Sequence, residues 1–235
     1  MPSPFPQPPE NLSAAPLVQW AAETFGDGLA LACSTGVEDC VLTHLASLTG
    51  HPVRVFLLDT GRLHPETYET YERLRWRYPG LRFQVFAPEA AEVEALVAGQ
   101  GLLGFRESLE ARHACCEVRK VRPLQRALAG STAWLTGLRR DQSPTRRDFQ
   151  AVEPDGTRLK IAPLLAWSEE ETWAYARDHA IPTHPLHGQG FPSIGCAPCT
   201  RAIQPGEDLR AGRWWWERPE HKECGLHQRP TAGRS

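Results

Sequence analysis

The chain has 235 residues, 41% of them apolar, and a formal net charge of -2 at pH 7, enough to bury one substantial core or one core with a C-terminal subdomain. The near-balanced charge argues against generic nucleic-acid binding, and no apolar run approaches the roughly 20 residues needed to cross a bilayer. The first residues lack the charged start and apolar stretch of a signal peptide, so no membrane role is expected and cytoplasm is the expected compartment.

The proline-rich start, MPSPFPQPPENL, predicts a disordered lead-in over residues 1–12, because proline denies the chain both helix and sheet hydrogen bonds. An alternation of short apolar runs and amphipathic stretches follows. Residues 28–33 (GLALAC) read as a buried strand, 38–48 as a helix, 53–58 (VRVFLL) as a strand, 65–77 as a helix and 82–86 as a strand. Helices are expected over 89–98 and 117–129, strands over 133–136 and 159–162, and a helix over 168–179 with the capping-box pair Ser168 and Glu171 at its start. Strands alternating with helices imply a parallel sheet covered on both faces.

Ligands on such sheets bind beyond the carboxyl ends of the strands. Three loops stand there: Ser34-Thr35-Gly36-Val37-Glu38-Asp39, Asp59-Thr60-Gly61-Arg62-Leu63-His64 and Gly137-Leu138-Arg139-Arg140-Asp141-Gln142-Ser143. They are expected to meet at one edge of the sheet. The first leads into a helix N-terminus, which offers backbone N–H groups and a positive dipole end to an anion, although such a turn also serves as an ordinary cap. Between residues 112 and 147 there are nine cations against Glu117 and Asp141, a local balance of +7. This is the charge of a local anion site rather than of a basic protein. Beyond about residue 182 the periodicity fades into HPLHGQGFPSIGCAPC, a stretch whose shape must come largely from something it binds. The Trp214-Trp215-Trp216 run could dock the tail.

Seven cysteines are an odd number in a chain too long to need disulfide staples, so ligand or redox chemistry is favoured. Cys115 and Cys116 are adjacent, Cys196 and Cys199 form a second clip about eighty residues later, and Cys224 stands alone in Glu-Cys-Gly-Leu-His. The second clip suits zinc, a redox dithiol and an iron-sulfur cluster alike. Adjacent cysteines strain the peptide between them when both bind one metal, but reach different irons of a 4Fe-4S cube more readily, which favours the cluster without excluding zinc. Cys33 and Cys40, on a buried strand and the following helix, read as small core residues. Lys222, His221, His227, Arg210 and Arg213 surround Cys224 in sequence and could hold it as thiolate. Arg119, Arg122 and Arg126 read as solvated helix-face residues, and His64, His113, His184 and His187 as structural or exposed.

Five segments, LDTGRLHPET, CCEVRKVRPL, TGLRRDQSPTR, GCAPCTRAIQPGEDLRAGRWWWE and KECGLH, together resemble the assimilatory sulfonucleotide reductases, in particular the iron-sulfur type that acts on adenylylsulfate (APS). The resemblance runs over about residues 29–227. It implies an α/β fold with a mostly parallel sheet, adenine-nucleotide hydrolase-like and related to the PP-loop pyrophosphatases, with an irregular cluster-binding segment and a mobile tail. The corresponding organisation is a lead-in over 1–12, an α/β domain binding sulfonucleotide and cluster over 13–205, and a tail over 206–235.

The implied activity is thioredoxin-dependent reduction of APS to sulfite and AMP. The resemblance puts one 4Fe-4S cluster on Cys115, Cys116, Cys196 and Cys199, the nucleophile on Cys224, and phosphosulfate contacts on Lys120, Arg210, Arg213 and His227. The nucleotide loop falls on Ser34, Thr35 and Gly36, with Asp59, Thr60, Gly61, Arg62, Gly137 and Arg139 nearby. Where the family often has Ser-Phe-Gly-Ala-Glu-Asp, this chain has Ser-Thr-Gly-Val-Glu-Asp. The implied partners are thioredoxin and a small sulfonucleotide, with neither nucleic acid nor membrane, and a homo-oligomer is allowed.

The nearest alternative is reduction of 3′-phosphoadenylylsulfate (PAPS) by the same mechanism, although reductases specific for PAPS generally lack the two clips. An ATP-dependent tRNA-modifying enzyme would carry Ser-Gly-Gly-x-Asp-Ser in the first loop. A zinc-holding RNA-binding module would be colourless, and its RNA affinity steeply salt-dependent.

Overall fold

The computed structural model describes residues 5–142, 146 and 148–218. These form two compact units, each drawn from separate stretches of chain. One comprises the described residues up to Leu57 with His64–Val85 and Leu128–Gln189; the other comprises Leu58–Leu63, Phe86–Ala127 and the described residues from Gly190 onward.

The first unit is built on a six-stranded sheet of order β3-β2-β1-β4-β6-β5, with β1 at Leu29–Ala32, β2 at Arg54–Leu58, β3 at Arg82–Phe86, β4 at Ala133–Leu135, β5 at Val152–Asp155 and β6 at Arg158–Ile161. β1 lies between β2 and β4 and pairs parallel with both, placing Leu31 opposite Val55 and Leu135. Its sequence LALA is apolar at every position because neither face meets water, and Leu29, Ala30 and Leu31 are fully buried. β6 pairs parallel with β4, whereas β5 runs antiparallel to β6. This hairpin turns at Gly156, whose φ of 61° favours glycine. β5 was not among the expected strands because Glu-Pro-Asp-Gly reads as a turn, and Pro154 is tolerated on an edge strand.

Four helices belong to this unit: α1 (Ala14–Phe25), α2 (Val37–Leu48), α3 (Pro65–Arg77) and α7 (Glu169–Asp178). α1 was not expected. It buries Ala14, Leu17, Val18, Ala21 and Ala22, a stripe at helical spacing, and packs on α2 and β1. α2 also packs against α7. The expected capping box on α7 is present in both directions: the Ser168 hydroxyl accepts from the Glu171 N–H at 3.1 Å, and the Glu171 carboxylate accepts from the Ser168 N–H at 2.7 Å. Tyr71 of α3 ties the sheet by donating to the Gln84 carbonyl at 2.6 Å. Cys33 and Cys40 are buried as expected, 2% and 0% exposed.

The second unit carries α4 (Ala90–Gln100), α5 (Leu109–Cys116), a π-helical turn at Glu117–Val121 and α6 (Arg122–Ala127). The single helix expected over 117–129 is corrected on two counts. Helix begins eight residues earlier, so that Cys115 and Cys116 are helical, and five residues widen to π geometry before α-helix resumes. Such widening concentrates at functional sites because it re-aims side chains without ending the helix. Among the described residues, no helix is long and apolar enough to cross a membrane.

Candidate active site

In the first unit the Ser34–Asp39 turn follows β1 and opens α2. Thr35 takes φ 66° and is fully buried, and its hydroxyl has no hydrogen-bond partner among the described residues. Asp39 fastens the turn on itself: one carboxylate oxygen accepts from the Ser34 N–H at 2.7 Å and from the Ser34 hydroxyl at 2.6 Å. Burial lifts the Asp39 carboxyl to about 6, and the Ser34 hydrogen bonds oppose that rise. Gly137, after β4, closes on the same turn, since a Cβ there would lie 2.8 Å from the Glu38 Cβ and would also strike the Asp39 carboxylate. Two of the three expected loops therefore do meet. Arg139, 3% exposed, donates to Glu38 at 2.8 Å and to both oxygens of Asp141, so its charge is already matched by carboxylates.

The third expected loop, Leu58–Leu63, packs within the second unit. The Asp59 side chain accepts from the Gly61 N–H at 2.8 Å and the Thr60 hydroxyl from the Arg62 N–H at 3.2 Å, which turns the chain sharply. The turn then engages the second cysteine clip. The Arg62 carbonyl accepts from the Ala197 N–H at 2.8 Å, and the Thr60 hydroxyl lies 3.2 Å from the Cys196 sulfur.

All four clip cysteines line one recess, with Arg62, Phe105, Arg112, Arg119, Lys120, Arg213 and Trp214 completing its wall. Cys115 and Cys116 come from the end of α5, whose start Ser108 caps by accepting from the Ala111 N–H at 3.1 Å. Cys196 and Cys199 bracket a tight turn in which the Cys199 N–H donates to the Cys196 carbonyl at 2.9 Å. Among the described residues its lining thus brings together four sulfurs and five cations, of which Arg112 is paired with Glu217. The six described cysteines are all free of disulfides, and among the described residues no three His, Cys, Asp or Glu side chains are gathered as around a single metal ion. Burial pushes the Cys199 thiol up to about 12, with Cys196 adding to the rise and Lys120 opposing it. Burial also raises Cys115, against Arg62 and Arg119.

Arg112 and Arg119 were not expected at a site. Arg112 is fully buried, forks onto Glu217 at 2.8 and 2.9 Å, and stacks on Trp214 at 4.6 Å. Arg119, 7% exposed, donates to the Thr60 carbonyl at 2.7 Å. The readable signal was helical spacing: relative to Cys116, Arg112 stands at i-4 and Lys120 at i+4, and Arg119 stands at i+4 relative to Cys115. Arg213 stacks on the same Trp214 ring at 4.6 Å and is held by the Ser193 hydroxyl at 3.2 Å. Arg210 is not in the wall of the recess; its N–H donates to Asp208 at 2.8 Å. Cys224, His227 and Ser143 lie outside the described residues.

Residues 28–202 match the phosphoadenosine phosphosulfate reductase domain. The chain is similar to the adenosine 5'-phosphosulfate reductase of Allochromatium vinosum, 54% identical over 210 residues that cover 88% of this chain and 82% of that protein. It is also similar to the adenosine 5'-phosphosulfate reductase of Burkholderia cepacia, 50% identical with 86% and 81% covered. Among solved structures it resembles the phosphoadenylyl-sulfate (PAPS) reductase of Candida auris in its phosphate complex, with a TM-score of 0.69, 26% identity and 82% and 91% of the two chains covered. A Candida glabrata FMN adenylyltransferase shares the fold alone, at a TM-score of 0.54 and 14% identity over 90% of this chain and 76% of that one.

Proposed function

The chain belongs to the phosphoadenosine phosphosulfate reductase domain family, and from that membership and the make-up of the recess we propose that it reduces APS to sulfite and AMP with a thioredoxin-type dithiol as donor. The observation that carries the reading is the gathering of two cysteine clips, distant in sequence, at one recess walled by cations. The relatives named for adenosine 5'-phosphosulfate are 50 and 54% identical, against 26% for the PAPS reductase, which favours APS over PAPS.

In this reading Cys224, as thiolate, attacks the sulfur of the sulfate group. The bond from that sulfur to the bridging oxygen breaks, AMP leaves with the electron pair, and a thiosulfonate remains on Cys224. A donor thiolate then attacks the Cys224 sulfur and expels sulfite. The donor's second thiol resolves the mixed disulfide, so that the dithiol is oxidised and the two electrons end on sulfite. Nucleophile and substrate are both anionic, and Lys120, Arg210, Arg213 and His227 offset their repulsion. The first-unit turn at Ser34, Thr35 and Gly36, closed by Gly137, takes the nucleotide, as its position beyond β1 at a helix N-terminus suits. Asp59, Thr60, Gly61 and Arg62 shape the second unit beside Cys196.

The four clip cysteines suit a 4Fe-4S cluster. Desolvation raises the Cys115 and Cys199 thiols, which fits ligands that a metal ionises outright better than it fits nucleophiles. Arg62, Arg119, Lys120 and Arg213 beside the four thiolates also supply positive charge that an anionic cluster requires, Arg112 being engaged by Glu217. Cys115, Cys116, Cys196 and Cys199 would hold the cluster, which would supply order and fixed charge to the recess. The cytoplasm is the compartment proposed.

The test is anaerobic incubation with APS followed by mass spectrometry of the intact protein. A sulfite-sized adduct on Cys224, absent from Cys224→Ser and discharged by reduced thioredoxin, is expected. Full sulfite output from Cys224→Ser overturns the mechanism, and faster turnover of PAPS than of APS overturns the substrate.

A further inference from the structure

The described chain ends in a segment fastened to both cysteine clips. Trp214 donates its N–H to the Cys199 carbonyl at 3.1 Å, and Glu217 turns back to donate its own N–H to the Trp214 carbonyl at 2.8 Å. The Glu217 side chain then takes both prongs of the Arg112 guanidinium, at 2.8 and 2.9 Å. Arg112 lies one helical turn before Cys116 on α5, is fully buried, and presses its flat face on Trp214. A bidentate arginine-carboxylate pair fixes angle as well as distance. With the arginine fully buried and the Glu217 side chain 9% exposed, water does not compete for either group.

We infer that Arg112 and Glu217 are positioning residues that anchor the terminal segment, an inference that rests on Cys224 being the nucleophile. Cys224 lies seven residues beyond Glu217, so the anchor confines its sulfur to about 25 Å of a fixed point beside the recess. Without it, the last backbone fastening among the described residues is Trp214, ten residues before Cys224, and a flexible tether of ten residues rather than seven dilutes its end about twofold. Loss of the direction imposed by the fork adds to that. The anchor also gives the four-cysteine recess a part in the reaction that requires no electron to pass through it, since the helix and turn that supply the sulfurs hold the root of the reactive segment.

The experiment compares the iron-loaded full chain with Glu217→Gln, Glu217→Asp and a chain carrying seven Gly/Ser residues inserted after Arg218. At saturating APS the first-turnover formation of the Cys224 adduct is expected to fall at least twofold in Glu217→Gln. The fall should be partly rescued in Glu217→Asp and about threefold in the insertion, with APS affinity and iron content unchanged in all three. Trypsin, read without substrate, is expected to cut after Arg213 faster in Glu217→Gln. Equal adduct rates in the unaltered chain, Glu217→Gln and the insertion overturn the anchor. So does a fall in APS affinity that accounts for the whole loss. If the unaltered chain forms no adduct, while Glu217→Gln still exposes Arg213 to trypsin, the functional reading falls and the fastening of Glu217 stands.

Discussion

Gly195, immediately before the second clip, has no room for a side chain. A Cβ there would lie 2.7 Å from the Arg213 Cζ, and that guanidinium is pinned by Trp214, Ser193 and the Ile194 carbonyl rather than free to swing away. Gly195→Ala is expected to lower stability by about 1–3 kcal/mol, read by urea unfolding, and to shift Arg213 in the wall of the recess. The cysteines were legible because their chemistry is rare and their spacing is visible in one dimension. Arg119 was not read as a site residue, since a helical arginine usually faces water, whereas here it lies in the π-helical turn and donates to the Thr60 carbonyl. Arg139 was legible as a loop cation, but its engagement by Glu38 and Asp141 depends on partners 101 residues before it and 2 after it, and only the first of these depends on the fold.

Among the elements, the strands of the parallel sheet were read to within two residues because each is a short apolar run bounded by turn residues, and β3 and α3 fall where periodicity puts them. The misses have separate causes. β5 hides behind a proline, and the π-helical turn leaves no mark in a pattern whose period it changes for only five residues. α7 offers a direct check on a motif read from sequence. Ser168→Ala removes the hydroxyl that accepts from Glu171 and is expected to cost about 1 kcal/mol in urea unfolding. Turnover should not change, because no residue expected at the site lies on that helix.

At the scale of the molecule, stability in mild acid is set by buried groups that pull in opposite directions. The His184 Nδ1 accepts from the Leu186 N–H at 3.3 Å, which leaves the ring proton on Nε2 to donate to Thr67 at 3.0 Å. Burial, aided by His187 and His64, lowers this imidazole from 6.5 to about 4. Between those values the unfolded chain binds the extra proton, so the His184 contribution is complete above pH 6.5 and is lost as pH falls towards 4, by about 2–3 kcal/mol. Asp39 runs the other way. Its folded value of about 6 stands above the ordinary 3.8, so its contribution is present below pH 3.8 and is lost as pH rises through 6. The two offset each other in the intact protein, so the informative measurement is the difference between it and His184→Gln in urea unfolding at pH 7 and pH 4.5. The variant is expected to be the less destabilised of the two on acidification.

The interleaving of the two units also bears on biosynthesis. The stretch between Cys116 and Cys196 includes β4, β5, β6 and α7, all of which belong to the other unit. A ribosome adding about 5–20 residues per second therefore delivers one pair of sulfurs many seconds before the other has cleared the exit tunnel. During that interval the early pair has no counterpart and Arg112 has no Glu217 to meet. Maturation of the recess thereby waits until Cys196, Cys199 and Glu217 have all been made.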